Sequence, residues 1–163
     1  MAAVVAGGAH ITSATERQSQ DEQEIRALQA RLAEAVSARD LDRVMKEYAL
    51  GNELFVFDSD LPRQHTGWAS YKQDWGNFVN SAGDVKYEVE DLGITVVGNA
   101  AFSHSLAHVI WTGKKDGSHH EQLMSLTDAY RKIDGKWLIV MEHFSIPVMD
   151  GKAVFMASPN KPD

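Results

Sequence analysis

The sequence predicts an α+β domain in which three helices come first and a curved antiparallel sheet follows. Two observations carry that reading. Apolar residues recur at helical spacing through the first half, whereas the second half holds four long β-rich runs. Those runs are separated by Gly98-Asn99, Asp116-Gly117 and Asp134-Gly135, dipeptides suited to the positive φ of hairpin turns. Helices then strands, rather than alternation of the two, separates this class from a parallel α/β fold.

Asp21 and Glu24 are spaced as a capping box, and Ile25, Leu28, Leu32, Ala35 and Val36 follow at helical intervals. They predict a first helix over 22–38. Asp40 caps a shorter second helix with Leu41, Val44, Met45 and Tyr48 on its inner face, and Gly51 ends it. The stretch NELFVFD is a short strand. Residues 59–66, with Pro62 and no periodicity, read as a loop. A third helix over 67–81 carries an aromatic stripe of Trp68, Tyr71, Trp75, Phe78 and Val79. The stripe serves either as core packing or, in part, as the wall of a ligand cavity. Strands are predicted over 85–97, 100–112, 121–133 and 136–147, forming a meander.

The chain of 163 residues is enough for one domain with a real core. The assigned limits are a mobile tail over 1–20, one domain over 21–150 and a loose C-terminal tail over 151–163. The first 20 residues lack the basic start and long apolar segment of a signal peptide. The net charge of −7 argues against nucleic acid and anionic membranes as partners. With no cysteine there is no thiolate nucleophile, disulfide or cysteine-based metal site. The cytoplasm is the default location.

Side chains two apart on a strand share a face. On one face of the third long strand lie Met124, Leu126, Asp128 and Tyr130. On one face of the fourth lie Leu138, Val140, Glu142, Phe144 and Ile146. Each mostly apolar row holds a single carboxylate. Burying a carboxylate is costly, so the two acids mark a pocket. Asp128 either makes a structural hydrogen bond or acts as an acid with a raised pKa. Glu142 either pairs with a histidine or acts as a general acid or base. Two carboxylates close together repel, and one keeps its proton. Asp58, at the end of the first strand, either caps the loop or serves as a base. His104 and His108 are four apart on a strand, about 13 Å along it, and cannot share one metal ion. No metal site is assigned. His143 points away from Glu142, and its row Trp137, Ile139, Met141, His143 suits a dimer surface.

Several pieces of the chain resemble the superfamily of cone-shaped α+β domains that includes ketosteroid isomerases, SnoaL-like proteins and nuclear-transport-factor-like proteins. They are SARDLDRVMKEYA, LFVFD with the loop ending in Gly67, GNAAFSHSL, and TDAYRKIDGKWLIVMEHFS. The resemblance spans roughly 23–147 and implies a cone enclosing a ligand cavity. That fold hosts many reactions and some non-catalytic binders. Matching to steroid isomerase places its general base at Asp58 and its protonated oxyanion donor at Asp128, an acid pair whose chemistry is well described. Leu32 stands where that enzyme has its oxyanion tyrosine.

The resemblance also implies a cavity-facing row of Phe102, His104, Leu106 and His108, joined by Trp75, Val140, Glu142 and Phe144. The expected catalytic set is Asp58, Asp128, Glu142 and His104. The expected walls are Trp68, Tyr71, Trp75, Phe102, His108, Met124, Tyr130, Val140 and Phe144. The expected activity is proton transfer on an apolar, steroid- or polyketide-like carbonyl compound, without a cofactor, in a homodimer. Two other readings use the same fold: a binding protein without chemistry, and an assembly module whose sheet face is the functional surface. A shifted acid pKa favours the enzyme over the binder, and a filled cone favours assembly.

Overall fold

The computed structural model describes residues 13–149 and 152–153. The elements in order are α1 (Ala14–Ser37), α2 (Leu41–Met45), a 3-10 turn (Gly51–Glu53), β1 (Phe55–Phe57), β2 (Gln64–Thr66), α3 (Trp68–Ser81), β3 (Ala82–Val97), β4 (Ala100–Gly113), β5 (His119–Ile133), β6 (Lys136–Ser145), β7 (Val148–Met149) and β8 (Lys152–Ala153). The main sheet curves without closing and runs β2-β1-β6-β5-β4-β3. Strands β3 to β6 form the predicted antiparallel meander, and β1 joins it parallel to β6. At the β5–β6 hairpin Asp134 and Gly135 both take positive φ, 49° and 79°, as a two-residue turn of matching twist requires.

Helix α1 starts eight residues earlier than the sequence suggested. Ser13 is its N-cap, and Ser13 and Glu16 form the capping box. Asp21 therefore sits inside the helix. There it accepts from Lys132 Nζ at 2.6 Å and from the Trp137 indole N–H at 3.0 Å, tying α1 to the ends of β5 and β6. Of the expected N-terminal tail, residues 1–12 lie outside the described residues, as does the expected C-terminal tail except for β8. The expected loop over 59–66 contains β2, which pairs with β1 through Val56 and His65.

Ile25, Leu28, Leu32 and Val36 of α1 pack in one core with Val44, Met45, Tyr48, Leu126 and Ile139. Burial of each such side chain contributes about 1.5–3 kcal/mol. Two strand faces depart from simple alternation. On β6 a bulge falls at Val140, because Ala129 pairs with Met141 while Tyr130 pairs with Ile139. The extra residue inverts the phase. Trp137 and Ile139 are therefore buried in the core with Glu142 and Phe144, and the expected dimer row loses both. Leu138 and Val140 are only half-buried.

On β4 the buried row is Ala101, Ser103, Ser105, Ala107 and Val109. Phe102 is 51% exposed and His104 is exposed. Pairing explains this: Ser103 lies directly opposite Asp128, and opposed residues share a face. With Asp128 inside, Ser103 must be inside and its neighbours outside. No helix among the described residues is long and apolar enough to cross a membrane.

The core assignment predicts that Leu28→Ala costs about 2–5 kcal/mol in urea unfolding. Leu61→Ala, at a side chain 84% exposed, should stay within about 0.5 kcal/mol of wild type.

Candidate active site

A cavity of about 520 Å³ opens between the loop after β1, helix α3 and the ends of β3, β4 and β5. Asp58, Ser59, Asp60 and Leu61 form one rim. Tyr71, Asp74, Trp75, Asn77, Phe78 and Ser81 come from α3. Tyr87, Val109, Trp111, Gln122, Met124 and Phe144 come from the strands. The aromatic stripe of α3 thus lines the cavity in part. Tyr71, Trp75, Phe78 and Trp111 follow one another edge to face at centroid separations of 5.9–6.0 Å, a favourable geometry for rings. Trp68 does not join them; its indole N–H donates to the Met45 carbonyl at 2.9 Å.

Asp58 has two environments. Its Oδ1 accepts from the Asp60 amide at 3.3 Å and the Ser59 hydroxyl at 3.4 Å, which holds the turn. Its Oδ2 faces His65 Nε2 at 3.7 Å. The turn and site readings of this residue each take one oxygen. His65 is buried on β2, with Asp74 Oδ2 at 3.9 Å from the same nitrogen and Ser70 Oγ at 3.4 Å from Nδ1. Asp74 is pushed up from its ordinary pKa by burial and by the nearby charges of Asp58 and Asp60, against an opposing pull from His65.

The donor atoms of Asp58, His65 and Asp74 lie within 4.8 Å of one another, a set able to hold a metal ion. A second such set, Glu88, Glu90 and His108, is on the other face of the sheet. His108 there pairs with Glu121 at 2.7 Å and Glu90 at 3.7 Å.

Behind the cavity lie the two interior acids, directly opposed on β5 and β6. Glu142 is fully buried. Tyr48 O–H reaches its Oε1 and Oε2 at 3.1 and 3.2 Å, and Tyr71 O–H donates to Oε2 at 2.5 Å. Burial first, then the charge of Asp128, pushes Glu142 well above the usual carboxylate range. Burial and the charge of Glu142 likewise raise both phenols. Asp128, also fully buried, accepts through Oδ2 from Gln29 Nε2 at 2.7 Å, Tyr130 O–H at 3.0 Å and Ser103 O–H at 3.4 Å. Burial lifts it from 3.8 to about 7, against those hydrogen bonds.

The structure therefore rearranges the expected site. Asp58, Tyr71, Trp75, Met124 and Phe144 line the cavity. Glu142 reaches it only through Tyr71. Asp128 and Tyr130 belong to a separate buried cluster with Gln29 and Ser103. His104, Phe102, His108 and Val140 do not line the cavity, for the reasons of phase given above. His104 instead covers Gly93, where its ring occupies the space a Cβ would need. Sequence reasoning missed His65, Asp74 and Gln29. A polar residue two positions from a strand-ending aspartate in space, yet seven away in sequence, leaves no periodic signal. Pairing of β1 with β2 across the loop would have found His65.

The model of a family described as the SnoaL-like domain matches residues 25–149. No curated protein matches. Among solved structures, an NTF2-like protein of unknown function from Pseudomonas putida KT2440 is 28% identical, over 86% of this chain and 98% of that one, with a TM-score of 0.75. An NTF2-like superfamily protein from Salmonella enterica is 20% identical over 82% and 95%, with a TM-score of 0.73. A candidate scytalone dehydratase from Novosphingobium aromaticivorans is 14% identical over 91% and 99%, with a TM-score of 0.74.

Asp128 sets a pH dependence. The folded state keeps its proton up to about 7, whereas the ordinary value for an aspartate is 3.8. Between those values the folded state binds the extra proton, so stability falls as pH rises through that window. Asp128→Asn keeps an acceptor oxygen for the three donors and removes the charge. Urea unfolding across the window should show a shallower slope in the variant, flattened by up to about 1.4 kcal/mol per pH unit.

Proposed function

We propose, from the premise that the chain belongs to the SnoaL-like family, that it is a small acid–base enzyme acting on an apolar carbonyl compound. One observation carries the reading. Asp58 and Tyr71 face a single aromatic-walled cavity, and each is backed by a buried ionisable partner, His65 and Glu142.

Asp58 is the base. It removes a proton from the carbon beside the substrate carbonyl through Oδ2, the oxygen near the His65 imidazole at 3.7 Å. Negative charge then develops on the carbonyl oxygen. Tyr71 is placed to meet it, and this is where the raised pKa of Glu142 matters. Protonation of Glu142 reverses the bond that Tyr71 donates to it at 2.5 Å: the carboxyl O–H donates to the phenol oxygen, which frees the Tyr71 O–H to point at the substrate. Tyr71 thereby takes the part that the resemblance gave to a helix-one tyrosine, whose place Leu32 fills as core. Trp75 contributes an aromatic wall to the same cavity. Return of the proton to another carbon completes an isomerisation. Loss of a hydroxyl from the same intermediate would be a dehydration. The dehydratase-like neighbour, at 14% identity, speaks to the fold alone.

A substrate-independent assay follows: loss of the α-proton signal of cyclic ketones in D₂O, followed by NMR. Asp58→Asn and Tyr71→Phe should each slow exchange by about a hundredfold. His104→Ala should leave it unchanged. Undiminished exchange in both Asp58→Asn and Tyr71→Phe would sink the assignment.

A further inference from the structure

The cavity is polarised in a way that proton transfer alone does not require. Its rim carries three carboxylates, Asp58, Asp60 and Asp74. No lysine, arginine or histidine lines it among the described residues. Asp58 and Asp74 share one basic neighbour, the imidazole of His65, at separations beyond a direct hydrogen bond. Whatever its protonation, one imidazole leaves three carboxylates with an excess of negative charge. Asp58 and Asp74 are only 16% and 34% exposed at the side chain, so water screens them incompletely. The upward shift of Asp74 has the charges of Asp58 and Asp60 among its causes, as crowding of like charge requires.

The walls next to this rim are aromatic faces and edges: Trp75, Phe78 and Trp111 in a continuous chain. Aromatic walls beside carboxylates attract an organic cation twice over, by charge and by ring quadrupole. The same arrangement repels a carboxylate or phosphate, which no residue on the lining could neutralise.

We infer that the natural ligand carries a protonated amine, seated at the rim between Asp60 and Asp74, with its carbon frame against Trp75, Phe78 and Trp111. This rests on the same cavity as the proposed reaction and narrows its occupant: a carbonyl compound whose frame is apolar and whose one end is a protonated amine. The test uses unreactive probes, so it reads charge preference without reading turnover.

Phenylpropylamine, phenylpropanol and phenylpropanoate share one frame and differ in charge. Calorimetry at low salt should rank the amine about tenfold or more above the alcohol, and the alcohol above the carboxylate. Added salt should shrink the first gap. The double variant Asp60→Asn/Asp74→Asn should bring amine and alcohol within about twofold while leaving the alcohol's affinity unchanged. Circular dichroism checks that the variant is folded. The inference is overturned if the alcohol or carboxylate equals the amine, if the double variant keeps the preference, or if none of the three binds at millimolar concentration. D₂O exchange lost in Asp58→Asn with no charge preference would reject the amine and leave the enzyme reading standing.

Discussion

Two carboxyl groups, Asp128 and Glu142, face each other across neighbouring strands with no cation bonded to either among the described residues. Isolated buried charges of one sign are prohibitively costly. The arrangement is tolerable only if protons stay on and hydrogen-bond donors reach both acids. The three helical segments meet that demand. Gln29 of α1 reaches Asp128, Tyr48 just after α2 reaches Glu142, and Tyr71 of α3 reaches Glu142. The helices are thus pinned to the sheet by polar bonds as well as by apolar packing. Hydrophobic contact fixes their distance from the sheet, and directional bonds fix their rotation.

That constraint also explains why only one of the two acids serves the cavity. Asp128 is enclosed by Gln29, Ser103 and Tyr130, each of which also bonds another member of the cluster. None of these lines the cavity. Glu142 has a partner, Tyr71, that does. On the proposed reading, a phenol whose oxygen accepts a hydrogen bond from a protonated Glu142 is a better donor in front, because hydrogen bonds in a chain polarise one another. Depth is set by the sheet, and chemical reach by the helix.

Much of this was legible in the sequence, and the failures share a cause. The helical intervals of Ile25, Leu28 and Leu32, and the three turn dipeptides, state the architecture directly because they are local. The buried row of β5 was legible too, since its apolar residues leave Asp128 as the one exception. The face of β4 was not. Its inward residues are alanines and serines, and its outward ones include Phe102 and Leu106, so size misleads. Inward space beside Ser103 is already filled by Tyr130 and Gln29, from elements distant in sequence. On β6 the bulge at Val140 reverses a phase that periodicity assumes constant. His65 depends on a pairing across a loop, and its burial follows from tertiary contact alone. Asp21 looked like a cap because cap spacing is cheap to satisfy by chance; Ser13 offered the same spacing eight residues earlier.

The five acids of the site divide by solvent rather than by type. Inside, Asp128 and Glu142 are held toward the neutral form by burial, and their value is as hydrogen-bond partners. At the rim, Asp58, Asp60 and Asp74 retain contact with water, which lowers the cost of placing three carboxyl groups at close quarters. Between the two groups lies an aromatic wall with few polar atoms. A ligand entering this gradient meets fixed negative charge first and a neutral proton donor last. On the proposed reading, its positive end is favoured at the rim and its oxygen at Tyr71. Orientation therefore comes from where water stops, and a cavity built of one kind of charged side chain can still tell the two ends of its ligand apart.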